Sequence, residues 1–573
     1  MEPPACQSVA DLGFQVYTVP MKTITLHFPD GTSVQTEAGI RAIDLAHKIC
    51  SNPDELLAVV VNNETCSLTT RLDVNARLEP VLLGTQLGSA IYRRSLCLIL
   101  AAAAHKIFPN VRLLVGHSLG YGYYYTLETD KDSTRLDKAS IEKLHQKMTE
   151  LISMNIPIET DVISYQDALE MFERIGQIET RKQMNFICPP KITINRIDDY
   201  SDLYFGPLVP STGKTPVFDL MPYGEGFLLR FPSTSDATVL TPFEDIPQLF
   251  AVYSRYKRWG KQQGVTSAAD VNDLIHRRMT TDYIDTVETF QQKCIADIAD
   301  QIHQRGNVKT VLIAGPSSSG KTTTSKKLSL QLKALGYRPK VIELDTYYVN
   351  REVTPRDADG KYDYECLEAL DVPQLNQDLV DLFDGKEVKL PTYDFVEGKR
   401  IYTGKTMRLD PQDILILEGI HGLNDKLTPL VPAEYKFKIY LSALTQLNLD
   451  DHNRIPTSDN RLIRRIVRDS QFRGKSAADT IAMWDSVQRG ERLHIFPFQD
   501  NADAMLNTAL DYELPVLKVF AEPLLRCVSP LQKEYAEASR LLRFLNNFLP
   551  IPANNVPGKS IIREFIGGSE FEY

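Results

Sequence analysis

From residue 22 the chain reads KTITLHF, in which apolar and polar side chains alternate as on a half-buried strand. PDGT at 29–32 then supplies a turn into a second extended run. TEAGIRAIDLAHKI switches to helical spacing, with Thr36 as N-cap and Ile40, Ile43, Leu45 and Ala46 recurring on one side. Extended runs continue to Leu83, giving a strand-turn-strand-helix-strand plan for a small α+β module.

The apolar run SLCLILAAAA (95–104) predicts one buried helix and is far shorter than the roughly 20 residues that cross a bilayer. Strand-like sequence follows around VGHSLG and GYYYTLE. A helical stretch rich in charge and methionine is expected over 138–184, and strand and turn character returns in DLYFGPLVPSTGKTPVFDLMPYGEGFLLRF. Helical sequence over about 268–304 reads as a connector. From Val308 the pattern changes to buried β-branched strands, VKTVLIA, VIELD, DILILEG and FKIYLSA.

With 573 residues, the chain holds material for three or four domains. Hydrophobic residues at 43% and charged residues at 24% exclude wholesale disorder, and a net charge of −10 argues against a protein that coats nucleic acid or anionic membrane. The eight cysteines contain no C-x-x-C pair, so reduced thiols and a cytoplasmic location are expected. MEPPACQSVADLGF has no basic segment followed by an apolar run, so neither a secretory signal nor a membrane association is expected.

Two glycine-serine motifs compete for the chemistry. VGHSLG has the Gly-x-Ser-x-Gly pattern of a nucleophile elbow around Ser118, but the residues after Gly120 are strand-like where an elbow needs a helix. GPSSSGKT is a complete phosphate loop: Gly315, Pro316, Ser317, Ser318, Ser319, Gly320, Lys321 and Thr322, with Thr323 next in the helix. The strand before it and the helix after it are both present. Backbone N–H groups would cradle the phosphates of ATP, Lys321 would reach the β- and γ-phosphates, and Thr322 would hold Mg²⁺.

Two acids follow at strand ends. Asp345 is placed to accept the proton of an attacking hydroxyl, and Glu418 to orient Mg²⁺ with Thr322. NRLIRRIVRDSQFRGKSA concentrates Arg461, Arg464, Arg465, Arg468, Arg473 and Lys475 on one helix and its exit, as a lid over a triphosphate requires.

GPSSSGKTT, LDTYY, PTYDFVEGKR, ILILEGIHGL and RLIRRIVRDSQFRGK together resemble the uridine kinase and phosphoribulokinase family. That resemblance implies Asp345 as catalytic base, with Lys321, Arg468 and Arg473 stabilising charge. It also implies Tyr348, Tyr364, Glu365, Tyr393, Phe395, Arg465 and Lys475 around the acceptor. Glu365 stands where the family has Asp. A family His that contacts a pyrimidine is Gly398 here, and a base-reading Gln falls on Met483, so the acceptor's identity is open. Residues 21–83 resemble a TGS domain. Residues 84–265 resemble the editing domain of threonyl-tRNA synthetases, carried by GYYYTLE and the GP-x-VP-x-TGK pattern.

The four His and Cys positions of that editing site fall on Arg94, Leu98, Tyr204 and Leu208, so hydrolytic editing is expected to be absent. Nearby His105 and Cys97 sit at helix spacing among alanines and read as core or surface residues. The expected layout is therefore multidomain, α/β and α+β. An extension (1–20) precedes the ubiquitin-like TGS module and the α+β editing-like domain. A helical connector (266–305), a P-loop kinase domain with a parallel sheet flanked by helices (306–548) and a docked tail (549–573) follow. The expected partners are ATP and a small-molecule acceptor, a nucleoside or similar metabolite, with RNA or a nucleotide as the ligand class at the N-terminal half. The rival reading is an RNA- or ribosome-associated regulatory NTPase. The sequence does not fix the oligomeric state.

Overall fold

The computed structural model describes residues 22–572 apart from 110, 129–132, 135, 358–359 and 395–396. The expected extension 1–20 and the acceptor-site residue Phe395 lie outside the described residues. Near the N-terminus, strands β1 (Thr23–His27), β2 (Ser33–Glu37), β3 (Leu56–Val61), β4 (Glu64–Cys66) and β5 (Ala76–Leu82) form one sheet in the order β2-β1-β5-β3-β4. Thr36 does not cap a helix. It lies inside β2 opposite Ile24, and helical residues begin only at the 3-10 turn Ala42–Leu45 and the single turn Ala46–Ile49. A β-branched residue suits a strand, and Gly39 (φ 97°) turns the chain before any helix can start.

The next unit is built around α1 (Gln86–Ile107), opened by Thr85, whose hydroxyl accepts from Gly88 N–H. Its length and composition would suffice for a membrane span, yet 78% of its most apolar window is buried. It packs on β6 (Arg112–Ser118), β7 (Gly122–Glu128) and later strands as a core helix. VGHSLG is the end of β6 and the turn into β7. Ser118 Oγ donates to the Gly122 carbonyl at 3.3 Å, and a strand, not a helix, follows.

The single helical stretch expected over 138–184 is broken. Helix α2 (Lys138–Ser153) ends at Asn155 (φ 49°), and ETDVIS forms strand β8 (Glu159–Ser164) before the short helices α3 (Tyr165–Arg174) and α4 (Ile178–Gln183). β8 pairs with β9 (Lys191–Ile197), so cross-strand partners decide a segment whose own composition is ambiguous. After β10 (Tyr200–Asp202), strands β11 (Asp219–Tyr223) and β12 (Gly226–Arg230) complete the sheet containing β7.

Helices α5 (Pro247–Gln263), α6 (Ala268–His276) and α7 (Thr280–Arg305) lead into the C-terminal half. α7 does not behave as a bare connector. It buries Ile295, Ile298 and Ile302 against Val311 and Ile313 of β13 (Thr310–Ala314) and Leu328 of α8 (Lys321–Ala334). Its Glu288 pairs with Lys327 at 3.1 Å. Strands β14 (Arg338–Glu343), β15 (Asp413–Glu418), β16 (Lys436–Ser442) and β17 (Ala504–Asn507) join β13 in an all-parallel sheet of order β14-β15-β13-β16-β17. With helices on its faces, α9 (Val372–Phe383) among them, this is the P-loop kinase fold.

The two halves meet at the segment between β16 and helix α10 (Thr457–Phe472). Asp451 pairs with Arg112 and accepts from the Glu179 and Thr180 amides at 2.9 and 3.2 Å, at the start of α4. Asn448 Nδ2 donates to the Val115 carbonyl at 2.6 Å, and His452 Nδ1 lies 2.7 Å from Asp202. Burial opposes charge on His452, but Asp202 with Asp451 and Asp450 outweighs it and pushes the imidazolium up to about 9. A raised histidine contributes stability that is fully present below its unfolded pKa of ~6.5 and is lost as pH rises through about 9. Asp450, pushed up to about 7 mainly by burial, acts in the same direction between about pH 4 and 7. We therefore expect the thermal midpoint to fall by at least ~2 °C between pH 6.5 and 9.5. In His452→Gln that decline should flatten, as measured by calorimetry across the same range.

Candidate phosphate and acceptor site

The phosphate loop sits between the carboxyl end of β13 and the amino end of α8, where an open parallel sheet places its ligands. Ser318 (φ 60°) and Gly320 (φ 82°) adopt left-handed backbone to close the loop. A Cβ on Gly315 would meet the Leu441 carbonyl oxygen at 2.5 Å, so the loop packs directly on β16. Lys321 Nζ reaches the Gly315 and Pro316 carbonyls at 3.2 and 3.4 Å. Thr322 Oγ1, in the first turn of α8, donates to Glu418 Oε1 at the end of β15 at 2.8 Å.

Burial, with Asp345 nearby, pushes Glu418 up to about 8 against the pull of Lys321. Its buried oxygen and the Thr322 hydroxyl form an all-oxygen donor pair of the kind Mg²⁺ takes, with phosphate oxygens completing the shell. Among the described residues no group of three or more His, Cys, Asp or Glu side chains is arranged for a metal.

Asp345 lies exposed on the 3-10 turn Leu344–Tyr347 that follows β14. Beside it three tyrosines form an aromatic wall. The Tyr348 ring stands edge-on to Tyr364 and Tyr393 at 5.6 and 5.5 Å, and its hydroxyl donates to the Tyr364 carbonyl at 3.2 Å. Glu365 is pushed up to about 7 by burial and by Glu491, with Arg465 and Lys321 opposing. Gly398 (φ 70°) is crowded by Arg351: an added Cβ would come 2.5 Å from Arg351 Nε, whose backbone amide also donates to the Gly398 carbonyl at 2.8 Å. The space a side chain at Gly398 would take is thus filled by a guanidinium from another loop. Met483 Sδ accepts from Lys475 Nζ at 3.2 Å.

The basic helix α10 divides into two faces. Arg465 Nη1 donates to Ser317 Oγ at 2.7 Å, while Arg465, Arg468 and Arg473 gather around the single carboxylate of Asp469. These three guanidiniums hold Asp469 below the usual carboxylate range even though burial opposes them. Arg461 and Arg464 face inward and are not lid residues. Arg461 pairs with Glu491 of α11 (Ala477–His494), and Arg464 pairs with Glu513 of α12 (Glu513–Arg526). From there they donate to the Ser317 and Ser318 carbonyls at 3.1 and 3.2 Å, and Glu491 accepts from Ser317 N–H at 3.1 Å. Asp469, Glu491 and Glu513 escape sequence reasoning because lone acids on helices carry no spacing signal.

In the N-terminal half the four editing positions are structural. Leu98, Tyr204 and Leu208 lie in the core, and Arg94 donates to the Pro207 carbonyl at 2.9 Å. Cys97 is buried, its thiol pushed up to about 11 by desolvation, and His105 packs on the Tyr200 ring at 5.3 Å.

Residues 310–514 match the Phosphoribulokinase / Uridine kinase family. The N-terminal region is similar to threonine–tRNA ligases. That of Listeria welshimeri is 30% identical over 198 residues, covering 34% of this chain and 30% of the ligase. That of Pelobacter propionicus is 26% identical over 202 residues, covering 35% and 31%. The chain thus spans about a third of the length of these curated relatives. Solved structures with a likeness include one described as "a Possible Uridine Kinase from Bacillus stearothermophilus", 20% identical, TM-score 0.26, covering 38% of this chain and 98% of that one. Another is a D-glycerate 3-kinase from Cryptococcus neoformans, 15% identical, TM-score 0.20, covering 49% and 88%.

Proposed function

We propose that the chain transfers the terminal phosphoryl group of ATP to a hydroxyl of a small metabolite, a uridine- or cytidine-like nucleoside or a similar acceptor. The observation that supports this reading is that the charge of Asp345, on the turn after β14, acts both on Glu418, the partner of Thr322 at the phosphate loop, and on Tyr348 of the tyrosine wall. Asp345 accepts the proton of the acceptor hydroxyl as its oxygen bonds to phosphorus and the bond to the ADP oxygen breaks. Lys321, Arg468 and Arg473 offset the charge on the transferring group, with Arg465 steadying the loop through Ser317. Thr322 and Glu418 would hold Mg²⁺, which when bound supplies Lewis-acid neutralisation of the phosphate oxygens. We place this activity in the cytoplasm.

The test is an acceptor screen: protein, ATP and Mg²⁺ with a panel of nucleosides, sugars and hydroxy acids, read by mass spectrometry. A product heavier by one phosphoryl group is the expected result, and ADP formation independent of every acceptor would overturn the reading. A second reading, a regulatory NTPase with RNA or ribosomes as partner, draws on the likeness to threonine–tRNA ligases and on the polar contacts that the N-terminal half makes just ahead of α10. It predicts hydrolysis stimulated by tRNA or ribosomes with no phosphorylated small molecule.

A further inference from the structure

The C-terminal tail ends its course on the phosphate loop. After helix α13 (Tyr535–Leu545) the chain is held at Asn547, whose carbonyl accepts from Gln183 Nε2 and Asn272 Nδ2 at 2.7 and 2.9 Å. It then runs to the short helix α14 (Arg563–Ile566), where Ile561, Ile562 and Phe565 are fully buried. Ile561 lies so close to Gly320 that an added Cβ there would meet its Cγ2 at 2.7 Å, and the Arg464 guanidinium sits 5.0 Å from the centre of the Phe565 ring. On the turn between these anchors Glu564 projects its carboxylate at the amino end of α8. Glu564 Oε2 accepts from Thr323 N–H at 3.1 Å and from Thr323 Oγ1 at 2.7 Å.

Thr323 N–H is one of the first-turn amides that α8 cannot satisfy internally, and in a phosphate loop those amides are donors to phosphate oxygens. A carboxylate offers charge of the same sign and acceptor oxygens of the same kind. Two anions cannot share one amide and one hydroxyl without mutual repulsion, which is worth more in a partly buried site than in water. The geometry points to Glu564 as an internal competitor of the nucleotide: the tail latches the phosphate loop through Thr323, and a nucleoside di- or triphosphate must displace that carboxylate to bind fully. This inference rests on the nucleotide site described above. It adds an autoinhibitory contact whose root is hydrogen-bonded to Gln183 of the N-terminal half.

The test is ADP affinity of the full chain by calorimetry for wild type, Glu564→Ala and Glu564→Gln, with hydrogen exchange of 556–572 followed with and without saturating ADP. Removing the competing anion should tighten ADP binding by about tenfold or more, the factor by which a latched population lowers apparent affinity. ADP should also raise exchange in the wild-type tail. A merely structural cap would give the opposite pattern, with equal or weaker ADP binding in both variants and unchanged tail protection, and that result overturns the latch while leaving the nucleotide site standing. Absence of ADP binding in wild type and both variants would overturn the nucleotide site and the latch together.

Discussion

Asp345→Asn is expected to lower acceptor phosphorylation by about 10²–10⁴-fold while leaving ADP affinity within about twofold. Asparagine keeps the shape of the side chain but cannot accept the hydroxyl proton, so the loss falls on the chemical step. The residue is exposed on the 3-10 turn Leu344–Tyr347, outside the phosphate loop itself. Its charge nevertheless reaches two buried carboxyls, because it helps raise Glu418, the partner of Thr322, and Glu365, the neighbour of Tyr364. Single-turnover transfer to the acceptor identified by the screen, compared with ADP titration, separates the two effects. Robust transfer by the variant would remove Asp345 from the role of base.

Arg464→Met should be the most destabilising single change near the site, by about 3–5 kcal/mol. Among the described residues Arg464 is the largest fully buried side chain, and its guanidinium donates to Glu513, to the Thr508 carbonyl at 2.8 Å and to the Ser318 carbonyl. Removing it leaves Glu513 charged or forced to protonate among apolar neighbours, and burial already pushes that carboxyl up against the pull of Arg464. The double variant Arg464→Met with Glu513→Leu should recover much of the lost stability, since an apolar pair replaces a buried ionic one at little net cost. It should not recover ADP affinity, because the contact that holds the Ser318 carbonyl in its left-handed loop is gone. Denaturant unfolding and ADP titration of the same three proteins check both statements.

The phosphate loop was legible because all its parts are local: strand, loop and helix follow within about 30 residues, and each glycine has a backbone reason. Asp345 and Glu418 stood out as candidates because they are acids at the ends of apolar strands, and the structure sets Glu418 at the end of β15 and Asp345 on the turn after β14. The arginines of α10 were legible as a cluster but not as two faces, because their partners Glu491 and Glu513 arrive from helices later in the chain. Thr36 was misread since helical spacing in TEAGIRAIDLAHKI coexists with a glycine turn, and pairing with β1 settled the contest. The tail showed its anchors, Ile561, Ile562 and Phe565, but its target lies 241 residues earlier, and no periodicity links Glu564 to Thr323. Gly398 was read as a lost contact. Only the fold reveals that Arg351 fills the space beside it.

The segment gripped between the halves also sets an order on synthesis. Arg112 and Asp202 emerge from the ribosome hundreds of residues ahead of their partners Asp451 and His452, at separations of 339 and 250. The N-terminal half therefore completes its own sheets while these charges are still hydrated, and pays their desolvation only when the sheet of the second half delivers residues 448–453. Thr323 likewise waits 241 residues for Glu564. A nascent chain stalled between those points carries a formed phosphate loop with no tail upon it, so nucleotide present during translation meets that loop before its internal rival exists.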